Sequence, residues 1–407
     1  MTTNRIRFAF AQPPAIHEET HETIIIGGGM SGLGCAHRLR DQSQPFLMIT
    51  PEIGGRVRTA PDGIVNYGAY YVTDDYQWTL PLVKTLDRVR IADGFFHQHD
   101  ARYRFRSARL LKHLPAMVRF NRDLHHFRRH FNAMNQLAGD FSRRYLIAAD
   151  PVLQQAFEQP AADYIRQRRL EGLFADFIDP LLWASFFDSP YNVSTFFVLA
   201  ASLPLIVPMH TFVFDTQAAT TGFRDRILND SVRQAELGDK WHHVVTTTGR
   251  TFRCRNVVLA TPMNHTNRLL GPLAQPIRGG IDVSFYHLRG ELRPRYRGAM
   301  RNFFSSSEAT IISRERDGSY LYYYADDQID KYFESYTVIT HDHWKPALFF
   351  HGKEFVNANP VPNVFIASDH DVPSMENAYL NGRYTASLLL QHARKSSGTS
   401  SRVAFAR

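Results

Sequence analysis

Thr23-Ile24-Ile25-Ile26-Gly27-Gly28-Gly29-Met30-Ser31-Gly32-Leu33-Gly34 is the stretch on which the reading of this chain turns. Ile24 to Ile26 form a short β-branched run, the composition of a strand buried on both faces of a parallel sheet. Gly27, Gly29 and Gly32 then fit the spacing G-x-G-x-x-G, after a strand and before a helical pattern. Each glycine has a stated role in a dinucleotide site. Gly27 permits the tight turn, Gly29 lets the backbone approach a pyrophosphate, and Gly32 lets helix and strand pack closely. The helix that follows is predicted to turn Cys35, Ala36 and Leu39 to one side and His37, Arg38 and Arg40 to the other. Its amino end, beginning at Met30 and Ser31, points at the phosphates, where unpaired N–H groups and the helix dipole favour an anion.

Working outward, the second strand is predicted over Phe46 to Ile49. A nucleotide-binding strand normally ends in Asp or Glu, which binds the ribose, and here the position is Thr50. A hydroxyl still bonds a ribose, but a charge-assisted bond is roughly twice as strong as a neutral one. Four residues on comes Gly54-Gly55-Arg56-Val57-Arg58-Thr59. Two glycines let backbone come close to a diphosphate, and the arginine brings donors and positive charge.

A G-x-G-x-x-G turn followed, after the second strand, by Gly-Gly-Arg-Val resembles the FAD-binding half of the flavin-containing amine oxidase superfamily. That group includes monoamine and polyamine oxidases, protoporphyrinogen oxidase and the carotenoid desaturases. The resemblance implies an α/β fold: a Rossmann-like FAD-binding domain assembled from discontinuous segments, plus a mixed α+β substrate domain. It implies that Gly54, Gly55 and Arg56 lie along the FAD pyrophosphate. It implies that Asn66-Tyr67-Gly68-Ala69-Tyr70-Tyr71 runs past the flavin ring, with Gly68 and Ala69 beside it. Near the C-terminus, Asn363 to Asp369 is an apolar strand ending in an acid, followed by Ser374-Met375-Glu376-Asn377-Ala378 and a helical pattern. There the resemblance implies a ribityl or phosphate contact for Asp369, and backbone amides near Met375 facing the flavin N1/O2 edge. Ser368 and Asn377 stand where the family often has glycine, and the loop before Gly54 is shorter than usual.

The expected FAD domain is 22–75, 215–278 and 355–393, in which Gly222 to Leu228 reads as helix and Asn256 to Pro262 as strand. The expected substrate domain is 76–214, rich in helical periodicity, and 279–354, rich in β pattern, with 394–407 a loose tail. On the strand after the second FAD segment, amine oxidases commonly carry a lysine. This chain has none there; Asp282 lies nearest and reads as an exposed strand acid. His341-Asp342-His343 has no third ligand at fitting spacing, so no metal is expected. Tyr322, Tyr323, Tyr324, Trp344 and Phe349 offer aromatic walls, although such stripes are more often core. No catalytic side chain is identified. The absence of a C-terminal cysteine at the family's attachment point implies non-covalent FAD.

The bulk properties set limits. The chain has 407 residues, 44% hydrophobic and 21% charged, enough for a large core and two or three domains. Cys35 and Cys254 cannot make a disulfide framework or a metal site and read as packed thiols. The most apolar run, Phe196 to Met209, is about fourteen residues and carries Pro204 and Pro208, short of the roughly twenty needed for a span. With no secretory pattern at the start, a cytoplasmic protein is expected. The net charge is +8, and between Arg102 and Arg129 nine Lys or Arg face a single acid, Asp123. The plain reading is a solvated helical face. The sharper one is a surface for an acidic partner or carrier protein, or a membrane, with nucleic acid unsupported by any motif. The expected function is an FAD-dependent oxidoreductase that removes a hydride from a C–N or C–C bond of a small apolar or aromatic metabolite. The alternatives are a non-redox flavoprotein isomerase or mutase, and a degenerate FAD-fold binding protein.

Overall fold

Strand β1 (Glu19–Ile26), helix α1 (Met30–Asp41) and strand β2 (Leu47–Thr50) open the fold, as the opening motif predicts. The computed structural model describes residues 18–98, 100–276, 280–305, 310–324, 327–349, 355–368, 370 and 372–396. β1 is the centre of a parallel sheet: Ile24 pairs with Leu47 of β2 on one side and with Val257 of the strand Thr251–Leu259 on the other. Ile227–Asn229 runs parallel to β2 at the outer edge, and Val364–Ile366 runs parallel to Val257–Leu259 at the opposite side. The segment Gly222 to Leu228, expected as helix, has instead one 3-10 turn, Arg224–Arg226, and then this edge strand. Its helical spacing misled because three residues of edge strand leave almost no alternation to detect.

The period of two along β1 divides its isoleucines between two cores. Ile25 faces Leu33 and Ala36 of α1 and residues of the C-terminal helix Met375–Ser396, including Met375 and Ala378. Ile24 and Ile26 face the other way, onto Met263 and Leu269 of the helix Met263–Leu270. Both faces are therefore covered, which is why the run is apolar throughout. α1 itself is held between the sheet and the C-terminal helix. His37, expected on the polar side, is buried as a result: its Nε2 donates to the Ala219 carbonyl at 3.0 Å, and its Nδ1 accepts from the Tyr379 hydroxyl at 2.6 Å. Burial depresses its pKa to about 4, so it stays neutral in that role.

A second sheet runs in the order Phe333–Phe349, Gly280–Leu292, Tyr320–Tyr324, Ile311–Arg314, Arg301–Phe304, Gly94–Gln98, Ala101–Arg104. The last two strands belong to a segment read as helical. Helices start only at Ala108, and Val83–Val89 pairs with Met209–Phe214 in a small third sheet. From Leu114–Leu137 to Thr195–Ser202 the segment is helical. Phe120, Leu124, Phe127 and Phe131 line the inner face of the first of these helices and join Phe196, Phe285, Leu321 and Tyr323 in the largest core. Cys35 and Cys254 are buried free thiols, both pushed up to about 12 by burial. No helix among the described residues is long and apolar enough to cross a membrane.

Candidate cofactor site

The two glycine turns, 25 residues apart in sequence, are pressed together at the carboxyl edge of the parallel sheet. Gly27 has φ +110 and donates to the Ile49 carbonyl at 2.9 Å. Gly54 donates to the Gly28 carbonyl at 2.9 Å, and Gly29 and Gly54 form an isolated parallel bridge. Gly54 and Gly55 have φ of +109 and +59, a left-handed backbone that glycine adopts freely. A Cβ on Gly55 would lie 3.1 Å from the Gly29 Cα, so backbone meets backbone with no side chain between. On Gly32 a Cβ would stand 2.0 Å from the Gly27 carbonyl oxygen, which fixes glycine where helix meets turn.

α1 begins on Gly29, which offers no side-chain cap. The first-turn amides of Met30, Ser31 and Gly32 cannot be satisfied within the helix, so this end is an anion site by construction. The room is there too: a Cβ on Gly29 would meet only the Gly55 Cα, at 4.0 Å. An uncapped helix start, two glycine turns and an adjacent arginine fit a dinucleotide diphosphate. Arg56 follows the second turn directly, and its Nη1 donates to the Ala347 carbonyl at 2.5 Å. Its own carbonyl lies against Gly68, where a Cβ would come within 1.7 Å of it and 2.9 Å of the Trp344 ring. Ala69, next in line, is partly buried against the core beneath α1.

Thr50 is placed at the sheet edge but is spent on the protein. Its hydroxyl accepts from the Gly28 amide at 3.0 Å and donates to the Glu52 carbonyl at 2.6 Å. The hydroxyl thus holds the glycine turn and has no proton left for a ribose. At the other end of the chain, Met375 is buried in the same core as Met30 and Val57, so the first and last elements share one packing unit. The Ser374 hydroxyl caps the C-terminal helix, accepting from the Asn377 amide at 3.1 Å. Asn377 accepts from the buried Arg143 at 2.6 Å, and the Ser368 amide donates to Asn381 at 2.9 Å. The Asn377 side chain therefore has a packing role, whereas the bond at Ser368 is made by backbone that a glycine would also supply. Asp369 lies outside the described residues.

The strands above Gly68 sort the aromatic residues by face. Tyr323 turns toward the glycine-containing segment, donating to the Tyr67 carbonyl at 2.6 Å, and Phe285 stands between Tyr323 and Trp344 at centroid distances of 5.4 and 5.7 Å. Tyr322 and Tyr324 turn the other way, the first into a separate core. The side chain of Phe349 lies outside the described residues. Asp282 is half-exposed, 3.9 Å from His343. His341 stacks on Tyr286, Asp342 pairs with Arg58, and His343 bonds Ser284; among the described residues no cluster of metal-ligating side chains occurs.

One polar cluster has no counterpart in the sequence reading. Arg301 Nη2 donates to the Tyr70 hydroxyl at 3.1 Å, and that hydroxyl lies 2.8 Å from Ser313 Oγ and 3.3 Å from a Glu315 carboxylate oxygen. Arg301 and Glu315 are 8% and 9% exposed, and burial pushes the Glu315 carboxyl up to about 7. Its members come from two strands, the turn after the second and the glycine-containing segment, so Tyr70 is remote in sequence from the other three. Alternation within short strands marks which side chains turn inward, not that a charge is among them.

A family model described as an NAD(P)-binding Rossmann-like domain matches residues 25–86, the span that holds both glycine turns. No curated protein matches the sequence. Among solved structures, a double mutant of putrescine oxidase superposes with a TM-score of 0.63 at 15% identity, covering 92% of this chain and 100% of that one. Cyclohexylamine oxidase from Brevibacterium oxydans IH-35A gives 0.60 at 15% identity, covering 92% and 99%. The chain has the flavin amine oxidase fold. Near-complete coverage in both directions means that the sheet, the helical segment and the second sheet all belong to that one architecture. The amine oxidase fold thus accounts for why segments at 19–50, 227–259 and 364–366 converge on one sheet.

Proposed function

We propose that this protein is an FAD-dependent oxidoreductase that binds FAD non-covalently and oxidises a C–N or C–C bond of a small apolar or aromatic metabolite. The observation that carries the proposal is the pair of glycine turns closed against an uncapped helix start with Arg56 beside them. That arrangement brings backbone donors and a guanidinium to the place where a diphosphate needs them. The structural neighbours, putrescine oxidase and cyclohexylamine oxidase, favour the same reading.

In this reading the amides of Met30, Ser31 and Gly32 hold the diphosphate, Gly54 and Gly55 admit it, and Arg56 balances its charge. When bound, the flavin supplies the two-electron chemistry. Gly68 and Ala69 let the chain pass close to the ring. Trp344, Phe285 and Tyr323 exclude water and offer an apolar wall, which fits an apolar or aromatic substrate. The buried Tyr70 hydroxyl and Glu315 carboxyl, grouped at Ser313 on the strand next to Tyr320–Tyr324, hold a proton near that wall.

The first test is the visible spectrum of the purified chain, before and after unfolding. Bands near about 370 and 450 nm, with FAD released on denaturation, are expected of non-covalent flavin. A colourless protein that takes up no added FAD ends the proposal. Given a yellow protein, anaerobic bleaching by members of an amine panel separates oxidation from isomerisation by reduced FAD, in which the substrate does not reduce the oxidised flavin.

A further inference from the structure

We infer that the outward face at the start of the helix Leu114–Leu137, with the short helix Ala108–Leu111 before it, docks on an anionic lipid surface. The inference is independent of the flavin reading. Leu111, Leu114 and Val118 are 64%, 47% and 69% exposed. Spacings of three and four put them on one side of a nearly continuous helical stretch. The inner side is already filled by Ala116, Phe120 and Leu124, so these three add nothing to the core. Single exposed apolar residues are ordinary, but three in line are not scatter.

Along Ala101 to Arg122 the charge is of one sign, and Asp176, which folding brings there, is paired with Arg109 and His113. Arg104, Arg106, Lys112 and Arg122 are exposed and have no carboxylate partner among the described residues. Arg122 stands one helical turn beyond Val118 on the same side. No acidic residue occurs from Ala101 to Arg122. The first that follows, Asp123, is committed to Arg168 through bonds of 2.7 and 2.5 Å. Apolar side chains flanked by cations on a convex helix match a bilayer interface, where acyl chains take the first and anionic headgroups the second. An acidic protein answers the charge alone and leaves the leucines in water. With no membrane-crossing helix among the described residues, such docking is peripheral.

Vesicle flotation of the full chain tests this. The protein should float with phosphatidylcholine vesicles containing phosphatidylserine, at least about tenfold more than with phosphatidylcholine alone, and be released by high salt. The double variants Leu111→Asp/Val118→Asp and Lys112→Glu/Arg122→Glu should each lose about tenfold of that binding. All four sites are exposed, and thermal melting checks that both variants remain folded. No flotation with the anionic vesicles at low salt overturns the inference, as does flotation that either variant leaves unchanged. Equal capture of the wild type and the Leu111→Asp/Val118→Asp variant on immobilised polyglutamate, without flotation, reassigns the face to an acidic protein.

Discussion

Glu315 is a carboxyl that folding places among Tyr70, Ser313 and Arg301 with almost no water. Its pKa is raised from the ordinary 4.5 to about 7, mainly by burial, so the native state binds its proton more tightly than the unfolded chain does. The contribution is intact below about pH 4.5 and is lost as pH rises to about 7, costing up to about 3 kcal/mol above that. Glu315→Gln should therefore be more stable than wild type at pH 8 and no more stable at pH 4.5, as read by urea denaturation. Equal pH dependence of the two proteins would remove the burial argument. None of this was legible in the sequence, where Glu315 sits in a polar turn. Thr50 shows a different limit. The sequence identifies the position that should meet a ribose, but only the fold reveals that the hydroxyl is consumed by Gly28 and Glu52.

At the scale of elements, the contact between α1 and the C-terminal helix is made by backbone. A Cβ on Gly382 would lie 1.8 Å from the Ser31 carbonyl, and one on Gly34 would lie 2.0 Å from the Tyr379 carbonyl. Helices this close cannot admit a methyl group without separating, and Ser31 is in the turn proposed to hold the diphosphate. Gly382→Ala should destabilise the protein by about 3 kcal/mol or more and weaken FAD retention, despite the better helix propensity of alanine. Calorimetry with and without added FAD reads both effects. An alanine variant as stable as wild type would show that the helices are not in contact there. The opening βαβ element was legible because its glycines, strand and helix agree over a dozen consecutive residues. The edge strand Ile227–Asn229 and the hairpin Gly94–Arg104 were not, since each owes its place to a partner strand remote in sequence. His37 was misplaced for the same reason: a helix covered on two sides has no polar face at that position.

For the whole molecule, the glycine turns and the C-terminal strand and helix foretold the Rossmann-like sheet, because the fold returns to its first sheet twice. Val364–Ile366 completes the sheet by pairing with Val257–Leu259, and the helix after it covers α1. This order has a consequence for biosynthesis. On the ribosome, the nascent chain carries its glycine turns more than three hundred residues before the helix that buries α1 is made. Until then α1 exposes an apolar flank, and Val257–Leu259 presents an open strand edge, the two features that invite self-association. A chain stopped before Val364 should accumulate in inclusion bodies and retain no flavin, whereas supplying the missing segment as a separate polypeptide during synthesis should rescue some of it. Cofactor loading is therefore a late event, and the cell must shelter this protein for most of the time it takes to make it.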